Sequence, residues 1–221
     1  MKLSAANFVG ISVLAAFLLA GTLFSVYYAL PAAFTDYRSL KARSDVERMR
    51  AGKKLMPSLM EWDHLRSQLV RAAGEESGNA QLLDDIAYLY VFRALSMDDV
   101  PELADLRRSL FSEAVGYYRT AATLRPMFPY DWANLALAKH SAGENDDELW
   151  AAFDKALAYG RNESPVQRML AEIAFANWST LDPQRAAAIT AMVRETPEKL
   201  RQPLLDIAEH FVVTLPAASA P

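Results

Sequence analysis

Three histidines, two pairs of adjacent aspartates and no cysteine are the residues from which any chemistry in this 221-residue chain would be built. His64, His140 and His210 lie far apart, and none stands at metal-ligand spacing from another histidine or a carboxylate cluster. The absence of cysteine removes disulfides and thiolate metal sites, and leaves both redox compartments open. Asp84-Asp85 and Asp98-Asp99 suggest the two carboxylates of a glycosidase. Neighbours on a helix point about 100° apart, so neither pair forms a facing acid and base. A solvated helix face or helix end is the expectation for both. No glycine-rich phosphate loop, Gly-x-Ser-x-Gly elbow or Ser/His/Asp order is present. These residues imply a protein that is not an enzyme and takes no cofactor or metal. A hydrolase would need convergent acids in a deep cleft.

The bulk composition narrows the remaining classes. Basic residues number 23 against 27 acidic ones, a net charge of −4, so no nucleic-acid footprint is expected. Apolar residues make up 52% of the chain, enough for a sizeable core. Glycine is scarce and strand-like alternation rare, which points to an all-α fold.

From Phe8 to Leu30 no residue is charged. Roughly 23 residues make about 35 Å of helix, more than a bilayer core of about 30 Å requires. Twelve of these positions are Leu, Ile, Val or Phe. Ser12, Thr22 and Ser25 can return their hydroxyls to the helix's own carbonyls. Tyr27 and Tyr28 sit where an interfacial aromatic belt falls. The run is too long for a signal peptide, and Ala29-Leu30-Pro31-Ala32-Ala33 is a poor cleavage site. Residues 1–33 are therefore expected to form a short N-terminus and a transmembrane anchor, in contact with lipid through 8–30. Arg38, Lys41, Arg43, Arg48 and Arg50 follow the run, and a positive-inside count keeps the rest cytoplasmic. A very short N-terminus argues for the opposite sidedness.

Residues 34–57 are strongly charged and read as a stalk. Helix start signals then follow one another over 58–215. Ser58 and Glu61 have capping-box spacing, Asn79 suits an N-cap, and Pro101 and Pro129 suit first turns. Gly143 suits a helix stop. Helices are expected from about Asp146 to Gly160, from Ser164 with a capping box to Gln167, after Asp182-Pro183, and after Thr196-Pro197. Residues 216–221 read as a disordered tail. A repeat runs through this region. Tyr118 and Ala121 recur 35 residues later as Phe153 and Ala156, and Leu135-Ala136 recurs at the same distance as Leu170-Ala171.

These residues resemble the tetratricopeptide (TPR) family over about 79–195. Ala114, Tyr118, Ala121 and Pro126 match the second helix of a repeat and the proline after it. Trp132, Leu135 and Ala136 match the next first helix, and Ile86, Ala87 and Tyr90 match the preceding one. Small residues let two backbones approach while the aromatic fills the wedge between helix pairs. The next pair departs from the pattern: Lys139 replaces an aromatic, Leu149 replaces a small residue, and no proline follows Ala156 at the expected distance. The resemblance implies antiparallel helical repeats with a concave partner-binding face carrying Asp84, Tyr88, Phe92, Tyr130, Leu137, His140, Arg168 and Glu172. The layout of anchor, charged stalk and helical domain with Leu124-Arg-Pro-Met-Phe-Pro-Tyr-Asp-Trp132 is similar to that of the membrane-anchored, VpsP-like polysaccharide biosynthesis proteins of bacterial exopolysaccharide clusters. That similarity implies a single-pass inner-membrane protein with a periplasmic domain. Its partners would be membrane-bound components of polysaccharide synthesis or export. The alternative expectation is a TPR-like scaffold for secretion, cell-envelope maintenance or protein quality control.

Overall fold

The computed structural model describes residues 5–76 and 78–216, and of residues 5–13, 28, 31–36 and 38 the backbone alone. The described residues are all-α. The helices are α1 (Ala5–Arg50), α2 (Leu59–Glu75), α3 (Ala80–Leu95), α4 (Pro101–Leu124), α5 (Pro129–Ala142), α6 (Asp147–Gly160), α7 (Ser164–Ala176), α8 (Pro183–Glu195) and α9 (Glu198–His210).

Local capping chemistry sets most of the boundaries. At α2 the Ser58 hydroxyl accepts from the Glu61 amide while the Glu61 carboxylate accepts from the Ser58 amide. Asn79 accepts from the amides of Gln81 and Leu82, and Asp182 from those of Gln184 and Arg185. Gly143 ends α5 at φ 79°, a left-handed conformation that glycine adopts without strain. Two expected caps differ. The N-cap of α7 is Glu163, and Gln167 spends its amide on the Arg161 carbonyl and the Thr196 hydroxyl rather than on a capping box. Thr196 closes α8, and Pro197 is the N-cap of α9.

Consecutive helices pack on one another through α6, so the centre is a repeat-like series of helix pairs; α5 also reaches α7, and α7 reaches α9. The positions that recur at 35 residues are all in the core: Tyr118, Ala121, Leu135, Ala136, Phe153, Ala156, Leu170 and Ala171 are buried. Ile86, Ala87, Tyr90, Ala114 and Trp132 are buried with them. The Trp132 indole donates to the Pro126 carbonyl at 2.9 Å, tying the helix to the turn that precedes it. Gly160 is required by a close approach: a Cβ there would lie 2.6 Å from Pro129 Cβ and 3.0 Å from Val166 Cγ1. Gly160→Ala is expected to cost about 1–3 kcal/mol through overpacking, read as a lower urea midpoint at unchanged slope.

Lys139, which interrupts the aromatic pattern, is 1% exposed. Its ammonium donates to Glu144, Asp146 and Glu148 at 3.1, 2.9 and 2.8 Å. A cation thus takes the aromatic's place by pinning the α5–α6 turn.

Within the charged segment expected as a stalk, 34–57, one helix face packs on the core. Ser39, Ala42, Val46 and Met49 are buried along one face of α1, and the last three join the hydrophobic core with Trp62, Leu65 and Leu69. Among the described residues, no helix is long and apolar enough to cross a membrane. The side chains of the expected span up to Val13, Ser12 included, and that of Tyr28 lie outside the described residues, as does the tail from Ala217. Within the span, Thr22 donates to the Leu18 and Leu19 carbonyls and Ser25 to that of Gly21.

Candidate functional site

A groove of about 510 Å3 opens between α3, α4, α5, α7 and α9. Each helix contributes the residues that its helical period turns inward. Val91 and Leu95 come from α3, Phe111 and Tyr118 from α4, Leu137 and Ala138 from α5, Met169 from α7 and Ile207 from α9. Polar groups stand among them: Arg107 on α4, Asn134 and His140 on α5, and Arg168 and Glu172 one turn apart on α7. An apolar lining with a few convergent polar groups, at this volume, has the character of a binding site.

The groove brings together four of the eight residues expected on the concave face: Leu137, His140, Arg168 and Glu172. Arg168 is exposed and Glu172 half-buried, and neither makes an ion pair among the described residues. The His140 Nδ1 lies 3.4 Å from the Asn177 amide nitrogen. Arg107 pairs with Asp99 at one end of its guanidinium, while its buried Nε finds no hydrogen-bond partner among the described residues. Arg107 and Phe111 on α4 and Ile207 on α9 escape a reading that follows only the first helices of each pair, and Met169 on α7 falls between the positions that reading selects. Phe111 is a buried residue on the inward face of a second helix, and nothing in the chain's local pattern sets α9 against α7.

The other four expected residues lie elsewhere. Tyr130 sits at the α4–α5 corner, its hydroxyl 3.1 Å from Glu163 and its ring 5.3 Å from that of Phe128. Tyr88 and Phe92 stack on each other at 5.6 Å, and the Arg50 guanidinium covers the Tyr88 ring at 4.4 Å. Asp84 and Asp85 are 6% and 4% exposed, and so do not form the solvated face expected of them.

The two aspartates form a buried ionic knot. Arg50, in the last turn of α1, donates to Asp84 at 2.7 Å and to Asp85 at 3.3 Å, and also reaches the Asp84 carbonyl. Arg43 lies 3.7 Å from Asp85. The Gln81 amide joins both carboxylates, and its carbonyl accepts from Arg125. Arg125 in turn grips the buried Asp131 with two hydrogen bonds of 2.6 and 2.8 Å. Asn134 donates to Asp84 at 3.3 Å, connecting the knot to the groove. Burial raises Asp85 to about 6 despite the opposing pull of Arg50. Burial likewise raises Asp131 to about 6 against the Arg125 hydrogen bonds. Around Arg50, burial disfavours the charge, yet Asp84, Tyr118 and Asp85 together hold its pKa above the usual value. The knot joins α1, α3 and α5 and leaves no carboxylate free to take up a substrate. Asp98 and Asp99, the other pair, are exposed near the start of α4.

Among the described residues no group of three or more His, Asp or Glu side chains is placed to hold a metal ion. Neither a scan against protein-family models nor a search of curated proteins finds a match to this chain.

Proposed function

We propose that the chain is a membrane-anchored interaction protein that performs no chemistry and holds a protein partner in the groove between α3, α4, α5, α7 and α9. The groove itself carries this reading. Its lining is apolar, its charged groups Arg168 and Glu172 are unpaired at the rim, and the buried aspartates behind it, Asp84 and Asp131, are spent on arginines. The anchor rests on sequence: the run 8–30 is uncharged, and its hydroxyls at Thr22 and Ser25 bond back to the helix. The partner class rests on the resemblance to TPR-like and VpsP-like proteins, which makes a component of polysaccharide synthesis or export at a bacterial inner membrane the first to test, with the domain on the periplasmic side.

The test is a crosslinked pull-down of the full chain from native membranes, compared with a Leu137→Asp, Arg168→Glu double variant. A charge placed in the apolar lining and a reversal at the rim are expected to lower partner recovery at least about tenfold. Both residues lie at the groove surface, so the circular-dichroism spectrum is expected to stay unchanged. Equal recovery by the two proteins removes the groove as the site. Glycosyltransferases, a polymerase or an export channel among the captured proteins support the polysaccharide reading. Secretion or division proteins, or chaperones alone, discard it and leave a scaffold of another kind.

A further inference from the structure

Beyond the uncharged run, α1 has two opposite faces. One is taken by its own domain, through Ser39, Ala42, Val46 and Met49. At about 100° per residue, the far side of the helix is the line through residues 37, 40 and 44. There Tyr37 is 77% exposed and Leu40 61% exposed, and Ser44 is exposed after them.

Stepping back from Ser44 by alternate fours and threes gives Leu40, Tyr37, Ala33, Leu30, Val26, Leu23 and Leu19. All are apolar or small. Inside the uncharged run that is unsurprising, since every neighbour is uncharged too. In the charged segment it is selective: Asp36, Arg38, Lys41 and Arg43 lie off the line, Ser39 and Ala42 are buried, and Tyr37 and Leu40 keep the register. Steps of three and four residues through 37, 40 and 44, continuous with the apolar run before them, are the spacing of a seam that faces a second helix.

We infer that this face of α1 pairs in parallel with the same face of a second copy. The two helical domains then sit on the outer sides, where Ala42, Val46 and Met49 already hold them. The parallel direction rests on the anchor reading, because both copies enter the bilayer from one side. Charge agrees with it. Asp36 and Lys41 fall at the two positions that flank the seam, and a parallel pair sets each Asp36 against the partner helix's Lys41. Arg43, at the next flanking position, lies 3.7 Å from Asp85 of its own domain.

The chain has no cysteine, so single cysteines report without background. Full-length variants Tyr37→Cys, Leu40→Cys and Ser44→Cys, oxidised in native membranes, are expected to give at least about fivefold more disulfide-linked dimer than Asp45→Cys, off the seam, or Met60→Cys, exposed on α2. Leu40→Lys in the Tyr37→Cys background is expected to lower that dimer at least about fivefold by setting two like charges in the seam. Equal yields at 37, 40, 44 and 45, or yields no higher than from Met60→Cys, overturn the pairing. Release of the chain from membranes by alkaline carbonate overturns the anchor reading alone. The crosslinking period, read in the released protein, still decides the pairing.

Discussion

Replacing Arg50 by alanine is expected to destabilise the helical domain by about 3–5 kcal/mol at pH 7, the loss that follows when one partner of a buried ion pair is removed. The variant leaves Asp84 and Asp85 buried beside each other without the guanidinium that serves both. It also frees the end of α1 from α3 and uncovers the Tyr88 ring. Urea unfolding of the full chain in detergent reads the effect. A change below about 1 kcal/mol would show that Arg43 and Gln81 suffice to hold the knot.

The loss is expected to shrink on acidification, and the sign follows from Asp85. Its folded-state pKa of about 6 lies above the ordinary 3.8, so the folded carboxyl takes up a proton before the unfolded one does. Folding stability therefore rises as pH falls from 7 towards 4, by up to about 3 kcal/mol for a shift of this size. Asp131 acts in the same direction. Glu148 opposes them lower down: the hydrogen bond from Arg119 comes first in holding its pKa down to about 2, with Lys139 adding to it. The stability Glu148 contributes is present above its ordinary 4.5 and is lost as pH falls below that. The wild-type chain is thus expected to be most stable between about pH 4 and 5. Arg50→Ala is expected to lose less at pH 5 than at pH 7, because protonation neutralises Asp85, which it strands. A stability maximum at pH 7 or above in the wild-type chain would show that Arg50 and Arg125 outweigh burial at these carboxyls.

Phe153→Ala is the second change expected to be severe, at about 3–5 kcal/mol. The ring is fully buried in α6, with the Trp150 ring edge-on at 5.6 Å. It repeats Tyr118 of α4 after 35 residues, and removing it leaves a cavity in the hydrophobic core. Leu135 and Leu170, the other repeating positions, lie in the same hydrophobic core. The measurement is the urea midpoint at constant slope. Phe153→Leu, which keeps most of the volume, is expected to recover more than half of the loss. A Phe153→Ala cost below about 1.5 kcal/mol would mean that the repeat position is not filled by this side chain alone.

Most of the element order is legible in the chain because its signals are local. The Ser58 and Glu61 pair, Asn79, Pro101, Gly143 and Asp182 each act within one turn of the residue that carries them, so their chemistry is satisfied wherever the helix goes. The repeating Tyr118 and Phe153 are legible for another reason: each stands at the same place in its own helix, 35 residues apart, and aromatic bulk on the inward face has to be buried. Of the groove, Leu137, His140, Arg168 and Glu172 follow from the resemblance to the TPR pattern, laid on the first helix of each pair. Ser164 and Gln167 mislead because the competing partner, Thr196, lies 29 residues beyond Gln167.

Long-range pairing decided the rest. Asp84 and Asp85 look like a solvated pair in the chain, and it is Arg50, 34 and 35 residues earlier, that makes their burial tolerable. The same contact turns the end of a charged segment into part of the core and covers Tyr88, while α9 brings Ile207 to the groove. Helical periodicity by itself determined which residues of this protein share a face. Which faces meet was decided only in the tertiary structure, because a buried charge depends on a partner that no local spacing specifies.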